Sequence, residues 1–433
     1  MYFRNDEGTI LRIGAAVPKM FLDFSTRDNL PSVITFTRST TGTYIDSDGT
    51  VKSAAINTPR FQTQNGARGL LSEEQRTNYV LYSEDFSNAA WTKDNASVTA
   101  NAITAPDGTT TADLIVEDSA YTVHGFRQAV SRASNIAHSV SLFVKAKERS
   151  IVRIDLSDDV ANSIRAYFDL TTGLVGTVSN NGTASGGSAN ITALANGWYR
   201  VEVGGIPASA STGSVRMTVR METSGSSTGY QGDGTSGMYM WGAQLESWAS
   251  NATLPMFCSS YIPTTSAQVT RGADLALITG SNFTSIFGAA SQGTMFVEGI
   301  TPATTAGTSY GLFGLSDNTS NNRIQLLRFP DTTVPCALVA TGGVFQAFMA
   351  SFGDMTIWPG TTKGRLAMRF AANDFAFCAN GRAALTDTSG SVPTVTQAEI
   401  GYGQALGRSQ CIVTRVAFWQ TLLTNAQLQA LAT

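Results

Sequence analysis

Apolar and polar side chains alternate with a period of two in short segments that recur along most of the chain, at 33–37 (VITFT), 140–147 (VSLFVKAK), 150–156 (SIVRIDL), 164–170 (IRAYFDL), 198–203 (WYRVEV), 214–221 (SVRMTVRM), 237–245 (GMYMWGAQL), 294–300 (TMFVEGI), 364–370 (GRLAMRF) and 412–419 (IVTRVAFW). A period of two puts successive side chains on opposite faces of an extended backbone, so each segment is a strand with one buried face. Turn chemistry separates them, as in Asp46-Ser47-Asp48-Gly49, Pro106-Asp107-Gly108, Asn180-Asn181-Gly182 and Asn380-Gly381, where Asn and Gly accept the positive φ of tight hairpins. No helical pattern of the length a parallel crossover needs intervenes. The pattern therefore predicts antiparallel β-sandwiches and disfavours a βαβ sheet. A single helix is expected at about 424–432, where Thr424 and Gln427 form a Thr-x-x-Gln capping box ahead of Leu428 and Leu431.

The chain has 433 residues, 29 Lys+Arg against 32 Asp+Glu and a net charge of -3, which leaves no basic footprint for nucleic acid or an anionic membrane. Only 14% of residues are charged, against roughly 25% in ordinary globular chains, and Thr, Ser, Asn and 41 Gly fill the difference. That composition suits exposed strand positions and turns. Arg4, Asp6, Glu7 and Arg12 interrupt the first twenty residues, so no cleaved secretion signal is expected, and no apolar run is long enough for a membrane span. Cys258, Cys336, Cys378 and Cys411 lack CxxC or zinc-ribbon spacing and are expected to be reduced thiols in a protein assembled in cytoplasm.

Chemical motifs are few. Gly225-Ser226-Ser227-Thr228-Gly229 satisfies G-x-S-x-G, but it lies in a Gly/Ser loop with both histidines, His124 and His138, upstream, so it is expected to be a loop. Gly401, Gly403 and Gly407 miss the dinucleotide spacing by one residue. Asp155, Asp158 and Asp159 are the densest acidic cluster and are expected at a solvated hairpin tip; no catalytic residue is assigned. Asp233 is considered for an oxygen-ligand Ca²⁺ loop, but no metal site and no cofactor are assigned. Binding rests on aromatic residues, whose flat faces cover the C–H face of a sugar ring. Trp198, Tyr199, Trp241, Phe418 and Trp419 lie within strand patterns and are expected mainly in the core. Trp91, Tyr121, Tyr230, Trp358 and Tyr402 sit beside turns and are candidate glycan contacts, together with His124 and Arg127, which follow Tyr121 in YTVHGFR.

Residues 36–97, with FTRSTTGTYIDSDGTVKSAAINTPRF and RGLLSEEQRTNYVLYSEDFSNAAWTK, resemble the segment that introduces many tailed-bacteriophage tail-fibre proteins. With APDGTTTADLI (105–115), AYFDLTTGLVGTV (166–178), GWYRVEV (197–203) and YQGDGTSGMYMWGAQLE (230–246), the chain is similar to a carbohydrate-binding jelly roll. Residues 364–390 and 413–431 resemble a concanavalin-A-like or laminin-G-like sandwich. The resemblance implies an all-β chain with an attachment and hairpin region at 1–75, a jelly roll at 76–265 and a second sandwich at 266–433, the boundary falling in the Pro-Thr-Ser stretch near 262–272. It further implies a non-enzymatic virion protein of the tail fibre or tail tip that recognises host-surface polysaccharide or lipopolysaccharide. The alternatives are a decorating fibre with an assembly role and a polysaccharide depolymerase. A homo-oligomer, a trimer, is expected. Residues 1 to about 35 are the expected attachment segment. Their strand patterns at 21–24 and 33–36 are too short to fold alone, so the segment is expected to be ordered by the jelly roll, by neighbouring protomers or by a virion partner onto which Tyr2, Phe3, Ile10, Leu11 and Ile13 pack.

Overall fold

The computed structural model describes residues 16–64, 66–225, 229–248, 257–301, 310–328, 334–350, 363–403, 407–408 and 410–433. They are dominated by antiparallel strands and divide into two compact units. One comprises residues up to Tyr44, Ala54–Gln75 and Gly272–Thr433; the other comprises Ile45–Ser53 and Arg76–Arg271.

The second of these is a sandwich of two six-stranded sheets. One sheet runs Ser185–Ala193, Tyr199–Ile206, His138–Ala146, Gly237–Ser247, Ala112–Glu117 and Ala96–Ile103. The other runs Leu174–Asn181, Ser163–Asp169, Ile151–Ser157, Val215–Glu222, His124–Val130 and Thr92–Asp94. The alternation read from the sequence explains why they stack: Val140, Leu142 and Val144 from one sheet meet Val152, Ile154, Leu156, Met217 and Val219 from the other in a single core. Each such side chain contributes about 1.5–3 kcal/mol when taken fully out of water. Phe143, Trp198, Trp241 and Tyr261 form a separate buried cluster, the core role expected for the two tryptophans.

The first unit is also a sandwich. A seven-stranded sheet ends at the Val344–Ala350 strand, and an eight-stranded sheet is built around Gly293–Ile300 and Cys411–Trp419. Phe313, Leu315 and Leu326 from one face Val297, Met368 and Phe418 from the other. The helix Asn425–Leu431 starts at Thr424 with its capping box formed, as expected. A second helix, Gly280–Phe287, was not expected and buries Phe283, Ile286 and Phe287.

Residues 16–75 do not form the separate region that the resemblance implied for 1–75. Met20–Asp23 pairs antiparallel with the strand near the far end of the chain, Met20 opposite Phe418 and Asp23 opposite Arg415, and Phe61–Gln64 and Ala67–Ser72 extend the same sheet. Met20 and Leu22 are fully buried. The segment is also tied in by buried charge. Arg38 Nη1 is 3.1 Å from Asp274 Oδ1, Arg60 Nη1 is 2.7 Å from Glu73 Oε2, and Arg60 also pairs with Asp274. Breaking such a pair on one side costs about 3–5 kcal/mol, because the surviving charge stays buried. The later division of the chain falls between Arg271 and Gly272, at the end of the 262–272 stretch and six residues past the 265/266 bound. Tyr2, Phe3, Ile10, Leu11 and Ile13 lie outside the described residues. Among the described residues no helix is long and apolar enough to cross a membrane.

Candidate functional site

The outward face of the sheet centred on Val215–Glu222 gathers polar residues that the sequence spreads over more than a hundred positions. In that strand Val215, Met217, Val219 and Met221 enter the core, so Arg216, Thr218, Arg220 and Glu222 face the other way. The same rule turns Arg153, Asp155 and Ser157 outward from Ile151–Ser157, and Ser163, Arg165 and Tyr167 outward from Ser163–Asp169. Register then sets them in rows. Arg127, Thr218, Asp155 and Arg165 are successive partners across four strands. Arg216, Ser157 and Ser163 form the next row, and Arg220, Arg153 and Tyr167 the row on the other side. Gly125 lies opposite Arg220, where a Cβ would come within 2.0 Å of the Val219 carbonyl oxygen, so only glycine allows this close approach.

A cavity of about 200 Å³ opens on this face, lined by Arg127, Arg165, Arg216 and Arg220 with Asp155, Asp158, Ser157, Asn162, Ser163 and Thr218. Its charges are cross-linked. Arg165 Nε–H donates to Asp155 Oδ1 at 2.7 Å, and Arg153 Nε lies 3.3 Å from the other oxygen of the same carboxylate. Arg153 Nη1–H donates to Glu222 Oε1 at 2.6 Å. Arg127 and Arg220 both approach one oxygen of Asp94, at 2.8 and 2.6 Å. Arg216 is 3.6 Å from Asp159. Burial drives the Glu222 carboxyl up to about 7 in spite of Arg153, with Asp155 adding to the rise. Burial also lowers the Arg220 guanidinium, and Arg153 beside it adds repulsion that Asp94 only partly offsets. Among the described residues, Ser157 Oγ, Arg216 Nε and Arg220 Nε are shielded from water and have no hydrogen-bond partner.

The acidic cluster differs from the expected solvated tip. Asp155 and Asp158 are buried. Asp158 Oδ1 accepts the backbone N–H groups of Val160, Ala161 and Asn162, and its other oxygen accepts Asn162 Nδ2–H at 2.6 Å. Although burial opposes it, these hydrogen bonds hold the Asp158 carboxyl below its usual range. The carboxylate therefore closes its own loop, because three consecutive amide groups of a tight turn need an acceptor.

Among the described residues, Tyr121 is the one aromatic candidate that is exposed. It is 76% exposed on a two-residue ribbon with Tyr230–Gln231. Trp91 is 1% exposed, packed edge-on against Phe86 and Phe126, and its Nε1–H donates to the Tyr82 carbonyl at 3.0 Å. It is a core residue and does not reach a ligand. His124 is fully buried, with Nδ1 2.8 Å from the Asn95 carbonyl oxygen and its ring 4.7 Å from that of Tyr230. Tyr230 is buried as well and donates to Glu117 Oε2 at 2.6 Å; burial and that carboxylate push its hydroxyl pKa up. Tyr402 is half-buried and belongs to the other unit, and Trp358 lies outside the described residues. Among the described residues, Arg127 is thus the one predicted contact that lines the cavity. Arg165, Arg216, Arg220, Thr218 and Ser157 were not singled out from the sequence, although the polar residues at alternate positions in VRMTVRME, Arg216, Thr218 and Arg220, were the available signal.

Among the described residues, no three His, Cys, Asp or Glu side chains converge to hold a metal ion. Asp233 accepts from the N–H groups of Thr235 and Ser236 and from the Ser236 hydroxyl, which occupies its oxygens within its own turn. The four cysteines are buried free thiols.

No protein-family model matches the sequence, and no curated protein is significantly similar to it. Three solved structures illustrate the distant similarities that the chain has. The carbohydrate-binding module (CBM40) of a Ruminococcus gnavus IT-sialidase, bound to alpha2,3 sialyllactose, is 16% identical and spans 33% of this chain and 83% of its own, with a TM-score of 0.28. Domain 4 of a Geobacillus stearothermophilus extracellular arabinanase, in complex with arabinotriose, is 14% identical over 37% of this chain and 73% of its own, with a TM-score of 0.28. The LG4-5 domains of the mouse laminin alpha1 chain are 11% identical over 71% of this chain and 92% of their own, with a TM-score of 0.24.

Proposed function

We propose that this chain is a non-enzymatic attachment protein of a phage tail fibre or tail tip, and that its 76–271 sandwich holds host-surface glycan on the arginine-lined sheet face. The observation that carries the glycan-binding part is the cavity itself: it combines guanidinium and hydroxyl groups, with the side chains of Arg127, Arg165 and Arg216 30–38% exposed and able to donate to sugar oxygens. Binding without cleavage is supported by the state of the lining carboxylates. Asp155 is held by two guanidinium groups and Asp158 by its own loop, so neither is placed as a free acid or nucleophile. The virion assignment rests on the sequence resemblance at 36–97.

The test is retention of the purified protein on host cells and on their extracted surface polysaccharide. Wild type is retained and releases no reducing ends; Arg165→Gln/Arg216→Gln is folded and not retained. Retention of the double variant, or polysaccharide cleavage by the wild type, overturns this reading. A second reading, a decorating fibre whose sandwiches chiefly assemble, is favoured by the edge strand Val344–Ala350, where Val344, Phe345 and Phe348 are exposed and the two rings stack at 6.0 Å. A sedimentation shift toward monomer in Phe345→Ser/Phe348→Ser, with glycan retention absent from the wild type, would select it.

A further inference from the structure

We infer that the sugar taken by this cavity carries a carboxylate, as in a hexuronate-containing acidic polysaccharide; the inference rests on the glycan-binding reading above and narrows it. The argument is one of donors against acceptors. Four guanidinium groups, each with five N–H donors in a planar fork, line a cavity whose own carboxylates are Asp155 and Asp158. Asp158 is turned into its loop, and Asp155 is engaged by Arg165 and Arg153. Arg127 and Arg220 share a single oxygen of Asp94, and Arg216 donates from Nη2 to the Asp158 carbonyl oxygen at 3.4 Å and lies 3.6 Å from Asp159. Donor capacity therefore exceeds acceptor capacity inside the cavity.

A neutral sugar answers this poorly, because each hydroxyl brings a donor along with its acceptor sites. A carboxylate brings acceptors only, about four lone-pair positions, and matches the guanidinium fork in two parallel hydrogen bonds. The register places the groups suitably. Arg216 stands one row from Thr218 and opposite Ser157, with Arg220 on the far side of Thr218 in the same strand. An anion over Thr218 would meet the outer guanidinium nitrogens of Arg216, whose side chain is 30% exposed, and the ring attached to it would reach outward between Arg127 and Arg165, whose side chains are 38% and 32% exposed.

The experiment uses the full chain and a panel of bacterial hexuronate-containing capsular polysaccharides, each presented beside its own carboxyl-reduced, neutral form and beside a phosphate-bearing teichoic polymer. Affinity is read by biolayer interferometry at 50 and 500 mM NaCl, with thermal unfolding as the check on folding. The expected result is binding to at least one acidic form, weakened tenfold or more by carboxyl reduction, by Arg216→Gln and by the salt increase. Equal binding of acidic and reduced forms, or binding of the phosphate polymer alone, overturns the inference and leaves the glycan-binding reading standing. Failure to bind any polymer overturns both.

Discussion

Replacing Trp91 with alanine separates a core residue from a ligand contact, and the structure sets the size of the effect. The indole is fully enclosed, its ring 5.3 Å from Phe86 and 5.2 Å from Phe126, and its Nε1–H satisfies the Tyr82 carbonyl. Removing a buried tryptophan costs about 3–5 kcal/mol through lost burial and the cavity left behind. Loss of the hydrogen bond, worth about 1 kcal/mol, falls within that range. In a unit of about 200 residues, each kcal/mol moves the midpoint by roughly 2–4 °C, so Trp91→Ala should lower the Tm of that unit by roughly 6–20 °C. Trp91→Phe keeps ring contacts with Phe86 and Phe126 but drops the hydrogen bond and part of the volume, for about 1–2 kcal/mol and roughly 2–8 °C. Differential scanning calorimetry of the full chain reads both variants. A shift under 2 °C in Trp91→Ala, accompanied by lost glycan retention, would refute the core assignment and restore Trp91 as a contact.

Glu222→Gln should remove a pH dependence of stability: with its carboxyl raised to about 7 by burial and Asp155 against Arg153, Arg165 and Arg220, Glu222 contributes stability that is complete below about 4.5 and is lost as pH rises through 7. The Tm of wild type minus that of Glu222→Gln should therefore fall from pH 5 to pH 8, and a flat or rising difference contradicts the assignment. Native protein should leave all four thiols unlabelled by a thiol reagent, since burial pushes Cys336 and Cys411 up to about 12 and Cys378 up to about 11, and raises Cys258 as well; urea should expose four. Gly125→Ala should destabilise the 76–271 sandwich by several °C, because its Cβ would lie 2.0 Å from the Val219 carbonyl oxygen, and an unchanged Tm would show that the strands part at no cost.

The strands were legible because period and turn chemistry are local. The segments read at 294–300 and 364–370 appear as Gly293–Ile300 and Gly364–Ala371, and Asn380 and Gly381 both take the positive φ expected of a hairpin. What local signals lack is partnership. Nothing near Met20 announces that it pairs with Phe418, nor near Arg60 that it meets Asp274. Alternation likewise says that Arg127, Thr218, Asp155 and Arg165 point away from the core, but only the register of four strands puts them in one row. Three of the candidate contacts turned out buried for a different reason. Turn residues mark where the chain reverses, and Trp91, His124 and Tyr230 show that a side chain beside a reversal can still point inward.

Hydrogen–deuterium exchange, with and without a retained surface polysaccharide, tests most directly where the glycan sits. Binding at the arginine-lined face predicts new protection in Val215–Glu222 and Ile151–Ser157 and in the 158–162 loop, with the 272–433 amides unchanged. Protection confined to the Tyr121–Thr122 and Tyr230–Gln231 ribbon, or to the other sandwich, with exchange in Val215–Glu222 unaltered, would contradict it.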